Sequence, residues 1–255
     1  MKTIAITRRI SPSINQCELT HLERETIDFG RACSQHRQYE EALKSLGVEV
    51  ISLPVDPGLP DSVFVEDAAL VLDELAILTH PGAASRRPEV AAIESVLEPY
   101  REIFRIQPPG TLDGGDILRV ARRIFIGQTS RSSAAAIEQM KAIVEPHGYQ
   151  VLGVPVTGCL HLKSAVTQVG PDTLLINPDW VSKDDFPGLN FIEVDPSEPG
   201  AANAVLLDET IIYPTSFPMT RAKIEKAGIR MVAVDADELA KAEGAVTRCS
   251  LIFSG

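Results

Sequence analysis

"DAALVLDELAILTHP", residues 67–81, reads as a short apolar strand, a polar turn at Asp73 and Glu74, a second apolar strand and a stop marked by proline. The form recurs in "GDILRVARRIFIGQT" (115–129), "SAVTQVGPDTLLINP" (164–178) and "NAVLLDETIIYPTSFP" (203–218). Each is predicted to be an antiparallel hairpin. After each comes a helical segment or a connecting loop, then one more strand: "EIFRI", "YQVLGV", "NFIEV" or "IRMVAV". The clearest helix is "SSAAAIEQMKAIVEPHG" (132–148), with a serine cap and apolar residues three to four apart. A spacing of roughly 40–50 residues is that of a structural repeat.

The chain ends supply a fifth unit. "GAVTRCSLIF" (244–253) has the character of the first hairpin strand, "KTIAITRR" (2–9) that of the second, "QHRQYEEALKSLG" (35–47) that of the helix and "VEVISLP" (48–54) that of the last strand. Pairing the two ends would close a ring and leave no exposed sheet edge there. The expectation is therefore an α/β ring of five units in one domain, residues 1–255. An open α/β sheet is the alternative that alternating strands and helices also allow.

Composition narrows the function classes. A net charge of -11 without a concentrated basic patch argues against nucleic acid and anionic membranes, and suits a small cationic ligand. No apolar run approaches the roughly 20 residues of a membrane span. The N-terminal "MKTIAITRRI" passes straight into charge, unlike a signal peptide. Cys17, Cys33, Cys159 and Cys249 lie far apart, with neither a disulfide framework nor a zinc spacing. A reducing cytoplasm is the expected setting.

Three stretches carry polar residues where the repeat would otherwise be apolar. "PDSVFVEDAAL" (60–70) gathers Asp61, Glu66 and Asp67 around Phe64, a set of acids suited to a guanidinium. "PGTLDGGDIL" (109–118) flanks two glycines with Asp113 and Asp116, where the backbone can approach a neighbour closely and an aspartate can orient a histidine. "GCLHLKSAV" (158–166) sets His161 in an apolar segment, with Cys159 as a competing nucleophile if the segment is extended. Arg86 and Arg131 follow the first and second hairpins at matching places and could clamp a carboxylate. Acids for a cation and arginines for a carboxylate together describe an arginine derivative.

Taken in order, "PDSVFVEDAALV", "PGTLDGGDIL", "LHLKSAV" and a C-terminal Cys-Ser-Leu strand resemble the dimethylargininase family. That family belongs to the guanidine-modifying superfamily of arginine deiminases and amidinotransferases. The resemblance implies a five-bladed α/β propeller, the pentein fold, and a Cys-His-acid site with no metal or organic cofactor. The implied reaction converts N-methylated arginine to citrulline and methylamine or dimethylamine through an S-alkylthiouronium intermediate. By the same resemblance His161 is the general acid/base and Asp113 the acid that orients it. Asp61 and Asp67 lie near the substrate guanidinium with Phe64 and Glu66 close by, Arg86 and Arg131 hold the α-carboxylate, and Leu19, in "SINQCELT", covers the ligand.

The nucleophile is where this chain departs from the family. Counted without gaps from Ser-Leu-x-Phe, the family's cysteine falls on Arg248, and Cys249 comes one residue later. A one-residue shift along a strand sends the side chain to the other face, whereas a β-bulge would turn Cys249 back inward. Arginine deiminases read Pro-Arg-Cys, so an arginine before the nucleophile is known in the superfamily. Cys249 is taken as the nucleophile. The alternatives are another guanidine or ureido substrate, or a non-catalytic binder of arginine derivatives. A small-molecule ligand is the expected partner, with a homodimer left open.

Overall fold

The computed structural model describes residues 2–255. Its strands in chain order are β1 (Thr3–Arg8), β2 (Glu49–Leu53), β3 (Ala69–Val71), β4 (Leu75–Leu78), β5 (Glu102–Arg105), β6 (Ile117–Val120), β7 (Arg123–Gln128), β8 (Gln150–Pro155), β9 (Val166–Gly170), β10 (Thr173–Ile176), β11 (Asn190–Glu193), β12 (Val205–Leu207), β13 (Thr210–Pro214), β14 (Arg230–Val234) and β15 (Leu251–Ser254). Among the described residues they form five three-stranded sheets, ordered β15-β1-β2, β3-β4-β5, β6-β7-β8, β9-β10-β11 and β12-β13-β14. In each, the first pair is antiparallel and the third strand joins parallel to the second.

Parallel pairing requires a crossover. The helices α1 (Phe29–Ser45), α2 (Glu89–Leu97) and α3 (Ala134–Val144) supply it in three units, and α5 (Pro218–Lys226) in a fourth; α4 (Leu162–Ala165) is a single turn that opens β9. The β10–β11 crossover is a loop holding a short 3-10 turn, Lys183–Asp185. The middle strands read as unbroken apolar runs because both faces are covered: Leu75–Leu78 and Leu174–Ile176 are buried throughout. Ser133 caps α3 by accepting the Ala136 N–H, and Ala136, Ile137, Met140 and Val144 form its buried face.

The hairpins and the ring closure follow the sequence reading. Thr3 pairs with Ser254 and Ile6 with Leu251, so the two ends of the chain share one sheet. This is the five-bladed propeller of the pentein class, with β3, β6, β9, β12 and β15 innermost around a central cavity of about 220 Å³. No helix among the described residues is long and apolar enough to cross a membrane.

Two details differ from expectation. Helix α1 starts at Phe29 rather than near residue 35, because Asp28 accepts the Arg31 N–H and caps the helix there. In "GAVTRCSLIF" the strand begins only at Leu251, and Val246–Cys249 is a 3-10 turn. Polar bonds to that turn, described below, outcompete its extended propensity.

Phe125 is fully buried, with its ring centroid 4.9 Å from that of Phe186, between the third and fourth units. Replacing it with alanine is expected to cost about 3–5 kcal/mol, read as a lowered denaturation midpoint.

Candidate active site

The chain enters each of four inner strands directly from a helical turn: Val65–Ala68 before β3, Gly114–Asp116 before β6, α4 before β9 and Val246–Cys249 before β15. Asn203 stands just before β12. These segments gather at one end of the propeller axis and carry the polar residues singled out from sequence.

They are tied to one another in a circuit. The Gly115 N–H donates to Asp67 Oδ1 at 2.9 Å, and the Leu162 N–H to Asp116 Oδ1 at 2.9 Å. Asn203 Nδ2 donates to the Lys163 carbonyl (2.8 Å) and to Thr247 Oγ1 (2.9 Å), while its Oδ1 accepts the Thr247 N–H (3.1 Å). Arg248 Nε then donates to Asp67 Oδ2 at 3.0 Å, which closes the circuit. The two glycines make the approach feasible. A Cβ on Gly114 would lie 1.9 Å from the Glu66 carbonyl oxygen, and one on Gly115 would lie 2.9 Å from both Asp67 Oδ1 and His161 Cγ.

His161 and Asp113 meet as the sequence reading expected. His161 Nε2 is 3.1 Å from Asp113 Oδ2, and both residues are buried. A carboxylate only accepts, so Nε2 carries the proton and Nδ1 is the free lone pair. Nδ1 has no hydrogen-bond partner within the protein. Asp113 is further fixed by the Gly82 N–H on Oδ1 at 2.9 Å. Burial raises its pKa, but the hydrogen bond and charge of His161 outweigh that and leave it below the usual carboxylate value.

Asp67 and Phe64 also come together, around a cation that the chain itself supplies. Arg248 lies with its guanidinium carbon 4.4 Å from the Phe64 ring centroid and donates from Nε and Nη2 to Asp67 Oδ2. Its Nη1 donates to the Glu243 carbonyl at 2.8 Å. Arg86 donates to the same Asp67 oxygen. Burial raises the Asp67 pKa, yet the charges of Arg248 and Arg86 outweigh it and hold the carboxyl well below its normal range.

Asp61 Oδ2 accepts the Glu18 N–H at 3.0 Å, so this acid tethers the loop that carries Leu19. Leu19 is half-buried and packs on the core beneath that loop. Arg131 reaches the same loop, donating from Nη2 to Thr20 Oγ1 at 3.0 Å, with Nη1 3.7 Å from Asp113.

Three expected site residues have other surroundings. Arg86 is sealed in the core, donating to Glu89, Asp67 and the Asp61 and Phe64 carbonyls. At 2% exposure its guanidinium is closed to a substrate carboxylate. Glu66 turns toward the central cavity, where its Oε1 pairs with Lys163 Nζ at 2.6 Å. The Cys249 sulfur makes no hydrogen bond to His161. It donates weakly to the Ala245 carbonyl at 3.5 Å, within the apolar cluster that includes Tyr39 and Val205. The 3-10 turn brings this about by directing Arg248 to Asp67 and the next side chain into the core. Burial pushes the Cys249 thiol up to about 12, with Arg248 opposing and Glu66 and Asp67 reinforcing the rise. Cys159 is no better placed: its Sγ contacts the His161 carbonyl at 3.3 Å, and burial pushes it up to about 12.

Sequence reasoning missed Glu243, whose carboxylate accepts the N–H groups of Thr20 (3.0 Å), His21 and Leu22 (2.7 Å). Nothing in "KAEGAVT" marks it, since its partners lie more than 200 residues away in the chain. Lys163 did leave a signal, as a lysine in an otherwise apolar segment.

The fold and this arrangement define a member of the pentein class, with a His-Asp pair facing carboxylates at one end of the axis. The family described as "N,N dimethylarginine dimethylhydrolase, eukaryotic" matches residues 7–186. The chain is 39% identical to the N(G),N(G)-dimethylarginine dimethylaminohydrolase of Pseudomonas aeruginosa, over 89% of this chain and 90% of that one. It is 40% identical to the Streptomyces coelicolor protein of the same name, over 97% and 95%. The solved structure of a Cys-to-Ser mutant of the P. aeruginosa protein complexed with citrulline superimposes with a TM-score of 0.95 at 37% identity, covering 99% of this chain and all of that one. The chain belongs to the dimethylarginine dimethylaminohydrolase family.

Two outcomes test the geometry. Glu66 is raised from 4.5 to about 7, first by burial, which Lys163 only partly offsets. The folded protein therefore holds a proton there that the unfolded chain has lost, and stability falls as pH rises from about 4.5 to 7. Glu66→Gln is expected to remove about 1–3 kcal/mol of that fall, measured by denaturant titration at pH 4.5 and 7. In timed alkylation at pH 8, the half-buried Cys33 is expected to react well before the buried Cys249.

Proposed function

We propose that the chain acts on N-methylated arginine, releasing citrulline and methylamine or dimethylamine. The observation that carries this reading is the His161–Asp113 pair, with an unpartnered ring nitrogen, beside Asp67 and Phe64, which hold a guanidinium in the folded chain. The family names of close relatives, and the citrulline in the superimposable P. aeruginosa structure, support the substrate class. Arg131, beneath the Leu19 loop, is the residue we assign to the substrate's carboxylate.

In this reaction the Cys249 thiol gives its proton to His161 Nδ1, and the resulting thiolate forms a bond to the guanidinium carbon. The bond from that carbon to the methylated nitrogen breaks, and the departing amine takes a proton from His161. His161 then draws a proton from water, whose oxygen bonds to the same carbon as the C–S bond breaks and the thiolate departs. Asp113 keeps the imidazole oriented and stabilises its charged form. Cys249 reaches this position only if the Val246–Cys249 turn shifts so that Arg248 vacates it. The four free cysteines fit a reducing cytoplasm.

A second reading is favoured by one observation: Arg248 faces Asp67 while Cys249 faces the core. It makes the chain a binder of arginine derivatives that leaves them intact. Citrulline and dimethylamine are measured after incubation with dimethylarginine, for the native chain and for His161→Ala and Cys249→Ser. Product that both substitutions reduce at least 100-fold is the expected result. Undiminished turnover by Cys249→Ser would sink the nucleophile assignment. Saturable binding without product over hours would establish the second reading.

A further inference from the structure

We infer that Arg248 is an internal ligand of this site: its guanidinium fills the guanidinium position formed by Asp67 and Phe64 and, through Glu243, holds the Thr20–Leu22 loop closed until an outside ligand displaces it. The inference rests on the proposed function only in taking Asp67 and Phe64 as the place where a ligand guanidinium would sit.

The first support is the geometry of Arg248. Two of its nitrogens converge on Asp67 Oδ2, its guanidinium carbon lies over the Phe64 ring, and its third nitrogen donates to a carbonyl. A carboxylate on one edge, an aromatic face and a carbonyl at the end make the recognition pattern for a free guanidinium. The side chain is 5% exposed, so no other guanidinium can share the space.

The second is that Arg248 is not the only cation paired with Asp67. Arg86 donates to the same oxygen and is itself fixed by Glu89 through two bonds, at 3.1 and 2.6 Å. Withdrawing Arg248 would leave a carboxylate still paired with one cation and a flat space shaped for another. A structural ion pair with a single partner would instead leave Asp67 buried and uncompensated.

The third is the link to the loop. The Glu243 carbonyl accepts from Arg248, and its carboxylate accepts the three N–H groups of Thr20, His21 and Leu22. Glu243 itself sits at φ 52°, a left-handed conformation that a glutamate adopts only when its contacts impose it. Displacing Arg248 removes one of those contacts. Arrival of a ligand, release of the loop and reshaping of the turn that bears Cys249 thus become one event.

A tethered group competes at an effective concentration on the order of millimolar or above. Outside ligands must therefore bind at least 10-fold more weakly to the native chain than to one without the Arg248 guanidinium. Titration calorimetry with methylguanidinium and with dimethylarginine, on the native chain and on Arg248→Ala, measures this. Hydrogen exchange at Thr20–Leu22 is followed in parallel. Arg248→Met, which keeps most of the volume and removes the charge, serves if the alanine variant does not fold.

The expected result is binding of both ligands at least 10-fold tighter in the variant, with Thr20–Leu22 exchanging faster in the variant than in the native chain until ligand is added. Tighter methylguanidinium binding in the variant, with dimethylarginine bound by neither protein, would uphold Arg248 as the internal ligand while removing the proposed substrate. Equal affinities in the two proteins would overturn the inference and leave the proposed substrate intact. Failure of methylguanidinium to bind the variant would also overturn it.

Discussion

The structure depends on a circuit of polar bonds between the segments that open the inner strands. Each unit is a three-stranded sheet that cannot bury its apolar faces alone, and the circuit ties the units to one another at the axis. Asp67 takes the Gly115 N–H, Asp116 takes the Leu162 N–H, Asn203 bridges Lys163 to Thr247, and Arg248 returns to Asp67. Buried side-chain bonds of this kind have steep angular and distance requirements, and a half-satisfied network is costly.

The same circuit fixes the chemistry. Asp67 serves the scaffold through Oδ1 and faces the ligand position through Oδ2. Gly115 lets the backbone lie against both Asp67 and the His161 ring. His161 Nε2 is committed to Asp113, which leaves Nδ1 as the one ring position available for proton transfer. Two arginines on one carboxylate keep it ionised at a depth where burial alone would protonate it. The cost of so many buried charges is met by pairing each with a partner from another unit or another turn.

Much of this was legible in the sequence. The hairpins announced themselves because their middle strands are covered on both faces and so must be apolar throughout, and the polar interruptions marked the turns at the axis. The pairing of His161 with Asp113 came from the family resemblance, since the residues alone offered both Asp113 and Asp116 in "LDGGD". Arg86 misled, since an arginine after a hairpin looks alike whether it faces solvent or is sealed against Glu89 and Asp67. Glu66 misled for a related reason: beside Asp67 in sequence, it turns to the central cavity because adjacent residues in a 3-10 turn point in different directions.

The sequence by itself determined the recurring hairpin-and-strand units and the segments that would carry the polar residues, favoured a closed ring over an open sheet, and by resemblance pointed to the family to which the chain belongs. Local apolar periodicity and short motifs are properties of neighbouring residues, and they survive without three-dimensional information. Only the tertiary structure decided which face of the last turn looks into the site. From "VTRCSL" alone, a regular strand that put Arg248 in the nucleophile's place and a bulge that turned Cys249 inward were both open, and the bulge was preferred. The choice was made by Asp67, 181 residues away, whose carboxylate takes the arginine and leaves the thiol to the core.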